Sequence, residues 1–148
     1  MDEDAGPGLD PRHLEDLRQR VRNSPFNQWT GMEVVSIGDG RAELGMDLRP
    51  HHFNLQGIVH GGIITALADT SIGLALRSRL RPGLTHRTAQ LNVHFLAKGE
   101  GTRIVGRGRA VHSGQRMGYG EADVLDGGGR VLARATATFI ILPAPGAF

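Results

Sequence analysis

The chain has 148 residues, 39% of them apolar, and a formal net charge of +2, which fits one core-sized domain and offers no run near the ~20 unbroken apolar residues of a membrane span. Cysteine is absent, which excludes a disulfide framework, a thiolate nucleophile and a thiolate-bound metal. All but one of the 17 basic residues are Arg, but they are scattered, so no basic run points to nucleic acid. The acidic opening Met1-Asp2-Glu3-Asp4 has no apolar stretch of the secretory kind, and a cytoplasmic location is expected.

Residues 1–9 carry acids, Gly and Pro with little apolar surface, and a disordered tail is expected there. The domain is expected over 10–148. Asp10-Pro11 reads as an N-cap followed by Pro at the first helical position. Leu14, Leu17 and Val21 then form the apolar stripe of a short helix that Pro25 stops. Gly31–Ile37 and Arg41–Leu48 read as two strands joined at Gly38-Asp39-Gly40, and Pro50–Gly57 as an irregular loop. From Gly61 to about Leu80 the chain is small or apolar nearly all round, the mark of a buried helix. Arg77, Arg79 and Arg81 suit its C-terminal dipole.

Thr88–Lys98, Thr102–His112, Arg116–Leu125 and Arg130–Leu142 follow as strands. A turn at Ser113-Gly114-Gln115 sets Ala110 opposite Gly118, Gly108 opposite Gly120 and Gly106 opposite Ala122, with Arg107 facing Glu121 as an ion pair. Glycine weakens a strand unless something must come close, and the buried helix is the expected neighbour. The result is an α+β layout, one antiparallel sheet around one long helix. The last strand carries Leu132, Ile140 and Leu142 on its second face, so an oligomer covering that face is expected.

Asp69 stands about nine positions into a helix of Ile, Leu, Ala and Gly. A buried carboxylate costs several kcal/mol unless paired or protonated. Either Asp69 reaches a solvated edge or bonds locally near Thr65 or Gly73, or it is held in a semi-apolar cleft with a raised pKa, as a general base or nucleophile. His60-Gly61-Gly62 opens the same helix, and free N–H groups at a helix start can bind an oxyanion. The plain alternative is a loop-to-helix joint with His60 as the cap. Gly61 and Asp69 are roughly 12 Å and about 80° apart on one helix. One carbonyl cannot touch both, so a shared site needs two antiparallel helices from different chains.

The run Asn54-Leu-Gln-Gly-Ile-Val-His60-Gly61-Gly62-Ile-Ile-Thr-Ala-Leu-Ala-Asp69-Thr70 resembles the signature of the hotdog-fold acyl-CoA thioesterases, within them the phenylacetate-degradation type. The resemblance extends from about Gly31 to Pro143. It implies a hotdog fold and hydrolysis of acyl-CoA, with Asp69 as the catalytic carboxylate and the Gly61 N–H on the thioester carbonyl. Asn54 would orient water or the carboxylate, His60 would support the oxyanion site, and Thr88 would place the water beside Asp69. CoA would lie along Phe95-Leu-Ala-Lys98 and His112-Ser113-Gly114-Gln-Arg116-Met117, with Lys98 and Arg116 as phosphate contacts. Phe53, Leu55, Ile63 and Leu67 would line the acyl pocket. The resemblance also implies a homodimer, doubled into a homotetramer. The turn Ala97-Lys98-Gly99 departs from relatives that carry Pro there.

No cofactor is implied. His51-His52, His60 and His86 lack the spacing of a zinc site, and no Gly-x-Ser-x-Gly elbow occurs. Two other readings stand beside the enzyme: a non-catalytic hotdog module that binds acyl-CoA as sensor or carrier, and a hydratase, for which no Asp and His a few residues apart follow Asp69.

Overall fold

In the computed structural model residues 10–146 are described; the tail expected over 1–9 lies outside them. The first helix, α1 (Pro11–Asn23), starts at Asp10, whose carboxylate accepts from the Arg12 N–H, and buries Leu17 and Val21. Pro25 ends that helix as expected, but it also begins another, α2 (Pro25–Thr30), which closes on Gly31 at φ 77°. A proline that cannot extend one helix is pre-set to open the next. Strands β1 (Met32–Gly38) and β2 (Arg41–Asp47) turn at Asp39 and Gly40, both with positive φ. A single 3₁₀ turn (Pro50–His52) leads through a loop to the long helix α3 (Gly61–Arg77). The chain ends with β3 (Leu84–Phe95), β4 (Arg103–Ser113), β5 (Met117–Asp126) and β6 (Val131–Pro143).

The six strands form one sheet in the order β1-β2-β4-β5-β6-β3, every pair antiparallel. It wraps around α3, the α+β layout expected. Leu67, Ala68, Ile72, Ala75 and Leu76 of α3 are buried against Leu44, Met46, Ile104, Val124 and Phe139 of the strands. β3 begins earlier than expected, at Leu84, and holds one edge of the sheet with only β6 beside it.

The glycine stripe does face the helix. A Cβ on Gly106 would lie 2.9 Å from Leu67 Cγ, one on Gly108 2.8 Å from the Ile72 nitrogen, and one on Gly120 2.6 Å from Ile72 Cγ2. The register differs from expectation. Ala110 opposes Gly120, Gly108 opposes Ala122, and Gly106 opposes Val124: the turn is longer than expected, with Ser113 opposite Gly118, and a bulge between Ala110 and His112 brings the offset to two residues. Glu121 is therefore paired with Arg109 and not with Arg107; Arg107 pairs with Glu43 at 3.0 Å.

The outer face also departs from expectation. Leu132 is fully buried in the core, an effect of the irregularity between Val124 and Leu125 on its neighbour β5. In place of an apolar surface, the middle of that face carries the pairs Arg107–Glu43, Arg109–Glu121 and Arg134–Asp123. Exposed apolar side chains, among them Met117, Tyr119 and Ile140, lie toward one end.

Because backbone atoms of α3 cannot give way, Gly108→Val should destabilise the fold by about 3 kcal/mol, lowering the melting temperature by about 10 °C. Gly127→Ala, where the nearest heavy atom to a new Cβ lies 3.8 Å away, should leave the melting temperature within about 2 °C. Thermal melts of both variants check this.

Candidate active site

Asp69 lies midway along α3, half-buried, on the side of the helix that meets β3. Its partner is Thr88, whose hydroxyl donates to Asp69 Oδ1 at 2.9 Å. Thr65 does not reach it, because the Thr65 hydroxyl donates to the Gly61 carbonyl. Thr88 sits where the β3–β6 register slips between Thr88 and Gln90, the kind of irregularity that re-aims a side chain beside a site. Burial raises the Asp69 carboxyl above its ordinary 3.8, and the Thr88 hydrogen bond opposes that rise without cancelling it. The carboxylate is thus made more basic by its surroundings while one oxygen is held in place.

The second group of residues surrounds the start of α3. His60 is the N-cap, and its Nδ1 accepts from the Gly62 N–H at 2.8 Å. A Cβ on Gly62 would lie 2.9 Å from that nitrogen, so Gly62 makes room for the cap. Among the described residues the Gly61 N–H finds no acceptor. Of the two glycine donors the sequence offered, one is therefore used by the fold and Gly61 is the one left over. The Phe95 ring lies over it, 3.4 Å from where a Gly61 Cβ would stand, and is itself half-exposed.

Asn54 folds its own loop. Its Oδ1 accepts from the Gln56 N–H at 2.9 Å and the Ile58 N–H at 3.3 Å. Only its Nδ2 remains to act on anything else, so Asn54 can serve a reactant as donor but not as acceptor. His52 braces the same loop and escaped the sequence reading. It is fully buried; Nδ1 accepts from the Arg49 N–H at 2.9 Å, and its carbonyl accepts from the His60 N–H at 2.8 Å. Burial keeps its pKa low, so the ring stays neutral and its acceptor intact. Nothing in a His-His pair before a loop announces this role.

Asp69 and Thr88 are together, and His60 and Gly61 are together with Phe95, but the two groups are eight helical residues apart, roughly 12 Å. The segments expected to hold CoA are also separated within one chain. Phe95–Lys98 lies near the start of α3, where the Gly99 carbonyl accepts from the Val59 N–H. Ser113 and Gly114 line a cavity with Arg79, Leu80, Arg81 and Leu84 beyond the other end of the helix. Lys98 is paired with Glu100 at 2.9 Å. Of the acyl-pocket residues, Leu55 is fully exposed and Phe53 partly so, and Ile63 is 7% exposed. Leu67 has no exposed surface and faces Gly106 of β4; it belongs to the core and not to a pocket.

A model of the thioesterase superfamily matches residues 56–133, from the loop behind Asn54 into β6. A protein of Schizosaccharomyces pombe, named for an inferred esterase activity, is 30% identical over 119 residues, covering 78% of this chain and 72% of the relative. A Bacillus halodurans protein whose crystal structure holds CoA superposes with a TM-score of 0.77 at 28% identity, covering 90% of this chain and 91% of that one. The PaaI protein from the phenylacetic acid degradation operon of Escherichia coli superposes with a TM-score of 0.82 at 19% identity, covering 90% and 95%. That last likeness is one of fold.

A raised carboxyl has a stability signature independent of any activity. Between 3.8 and the higher value that Asp69 takes in the folded chain, the native state binds more protons than the unfolded one. Stability therefore falls as pH climbs through that window. Asp69→Asn carries no charge and escapes the fall. Its melting temperature should exceed that of the parent at pH 7 and converge with it at pH 3; a gap of equal size at both pH values would contradict the assignment.

Proposed function

Because this chain belongs to the thioesterase superfamily and is a thioester hydrolase, we propose that it hydrolyses acyl- or aryl-CoA thioesters to the free acid and CoA, at a site shared between two subunits. The observation that carries this reading is the division of the machinery: a basic carboxylate in mid-helix and an uncommitted N–H at the helix tip, too far apart to act together in one chain. Two α3 helices running antiparallel across a twofold axis bring each Asp69 to its partner's tip, twice per dimer.

In this site Asp69 takes a proton from water as the water oxygen adds to the thioester carbonyl. The Gly61 N–H of the other subunit, at the positive end of the α3 dipole, donates to the oxyanion that forms. The C–S bond then breaks, and the proton held by Asp69 passes to the departing CoA sulfur. A carboxylate of raised pKa suits this cycle, since it takes the proton more readily than an ordinary one. Thr88 fixes the carboxylate, and the Nδ2 of Asn54, from the subunit that supplies Gly61, orients the water. His60 holds the tip open by capping Gly62. Direct attack by Asp69 on the thioester would use the same residues.

The edge position of β3 supports the dimer. It is a 12-residue strand with one side unpaired, and sheets seldom leave so long an edge bare. Leu55 is fully exposed beside Asn54, which suits a role against substrate or partner. We assign the acyl pocket to Phe53, Leu55 and Ile63, and CoA to Phe95 and Lys98 with His112, Ser113, Gly114 and Arg116; a two-chain site is the arrangement that allows both segments to serve one ligand. Two dimers pairing into a homotetramer complete the assembly we propose. The CoA bound by the Bacillus halodurans protein favours CoA as the carrier.

Asp69→Asn and Asn54→Ala should each lower kcat on acyl-CoA by about 10²–10⁴. Refolded together in equal amounts, the two should regain about a quarter of parental activity, since half the dimers are mixed and each mixed dimer holds one intact site of two. A mixture no more active than its components would overturn the shared site. Thiol release from a panel of aryl- and alkyl-CoA thioesters reads both outcomes.

A further inference from the structure

His86 is used by nothing described so far, yet it lies on the strand that carries Thr88 and packs on the helix that carries Asp69. It sits two residues before Thr88 on β3, on the same face, and meets α3 at Gly73, one turn beyond Asp69. A Cβ on Gly73 would lie 2.8 Å from His86 Cε1. The other side of the ring meets Phe139 of β6 edge-on, with centroids 4.8 Å apart. His86 Nδ1 is buried without a hydrogen-bond partner. Two unfavourable choices thus fall on one spot: a glycine inside a helix, and a buried polar atom left unsatisfied. A leucine against an alanine would fill the same space without either. The imidazole is wedged between the helix backbone and a buried Phe, and it fixes how closely β3 approaches α3 just where Thr88 must reach Asp69.

We infer that His86 is a positioning residue: lodged against Gly73, it sets the spacing of β3 from α3 at which the Thr88 hydroxyl meets Asp69 Oδ1. This rests on the reading of Asp69 as the working carboxylate only for its effect on rate; the geometry it asserts stands apart from that reading. The ring works uncharged. Burial, and then the nearby Arg77 guanidinium, lower its pKa to about 4, against a smaller opposite pull from the Gly73 carbonyl. Among the described residues the charge acting on the ring is that of Arg77 on α3, on which Arg20 and Asp16 of α1 act in turn; Asp69 stands on α3 one turn before Gly73. β6 contributes Phe139 and Ile141, and β4 and β5 meet α3 through Gly106, Gly108, Gly118 and Gly120.

The test follows the Asp69 carboxyl itself, by NMR titration of the full-length protein labelled at Asp. Thr88→Val removes the hydrogen bond that holds the Asp69 pKa down, so its midpoint should rise. His86→Leu should raise it by a similar amount, and the double variant His86→Leu/Thr88→Val should rise no further than Thr88→Val alone. Gly73→Ala, which presses on the ring from the helix side and keeps both side chains, should raise it too; it also answers the question if His86→Leu does not fold. A purely electrostatic effect of the imidazole would add to that of Thr88→Val and would leave Gly73→Ala at the parental value, and either result overturns the proposal. In turnover, His86→Leu should lower kcat about tenfold with KM within twofold, the size of a misplaced group. Should Asp69→Asn retain parental activity, the proposed reaction fails while the titration result stands.

Discussion

The close approach of α3 to β4 and β5 is the constraint on which the rest depends. At Gly106, Gly108, Gly118 and Gly120 any side chain would overlap atoms of the helix, and at Gly108 these are backbone atoms. The sheet therefore has no thickness of side chains between its backbone and α3 along this line. A helix held this way cannot rotate or slide, because each glycine opposes a particular residue: Leu67, Ser71, Ile72 or Leu76. The direction in which Asp69 points is thus decided by atoms on the far side of the helix. Packing of this density converts small displacements into large energies, which is what a site built on one carboxylate needs.

The same rigidity explains the division of the site. A straight helix 17 residues long keeps its tip and its middle at a fixed separation, so no local adjustment brings Gly61 to Asp69. The bare edge of β3 and the exposed Leu55 beside Asn54 are the surfaces left for a second copy in the dimer we propose. In the reaction we propose, dimerisation is a condition of the chemistry, separate from any contribution to stability.

Much of this was legible in the sequence, for reasons that particular residues make clear. The α3 segment stands out because a long run of mostly small and apolar residues without Pro has few other uses, and Asp69 stands out because no other charge occurs in it before Arg77 at its end. The glycine stripe was assigned to the correct face even though the pairing was not. Side chains alternate with period two, so a slip of two residues, from Gly118 to Gly120 opposite Ala110, changes every partner but keeps every face. A longer turn, with Ser113 opposite Gly118, and the bulge between Ala110 and His112 together set that offset, and neither has a distinct local signal in the sequence. Helix α2 is hidden because Pro25 stops α1 and gives no local sign that it also opens a new helix. The capping role of His60 is visible in the sequence, but only the distance to Gly62 shows that the cap takes one N–H and leaves that of Gly61 uncommitted. His86 was hidden for a different reason: its neighbours Thr85 and Arg87 are also polar, so alternation could not mark which of the three turns inward.

The distribution of unfavourable choices carries its own argument. Over most of the core the residues follow elementary preferences: Leu, Ile, Val and Ala are buried, and the charges of the outer face are paired in solvent, where each pair contributes little. Around one turn of α3 the preferences fail together. A carboxyl is partly desolvated, a glycine interrupts the helix at a cost of about 1 kcal/mol relative to alanine, and a buried imidazole nitrogen lacks a partner. Such departures persist only where the surrounding structure over-determines them, and here the glycine stripe on the opposite side of the helix supplies that excess. Replacing the three by Asn, Ala and Leu would ease each local conflict, and the resulting chain would retain the fold while losing the proposed base and the hydroxyl held against it. His52 Nε2, in the turn before Asn54, is a second buried atom without a partner, so such conflicts gather in both halves of the proposed site, and around Asp69 the well-packed face of the same helix is what allows them to remain.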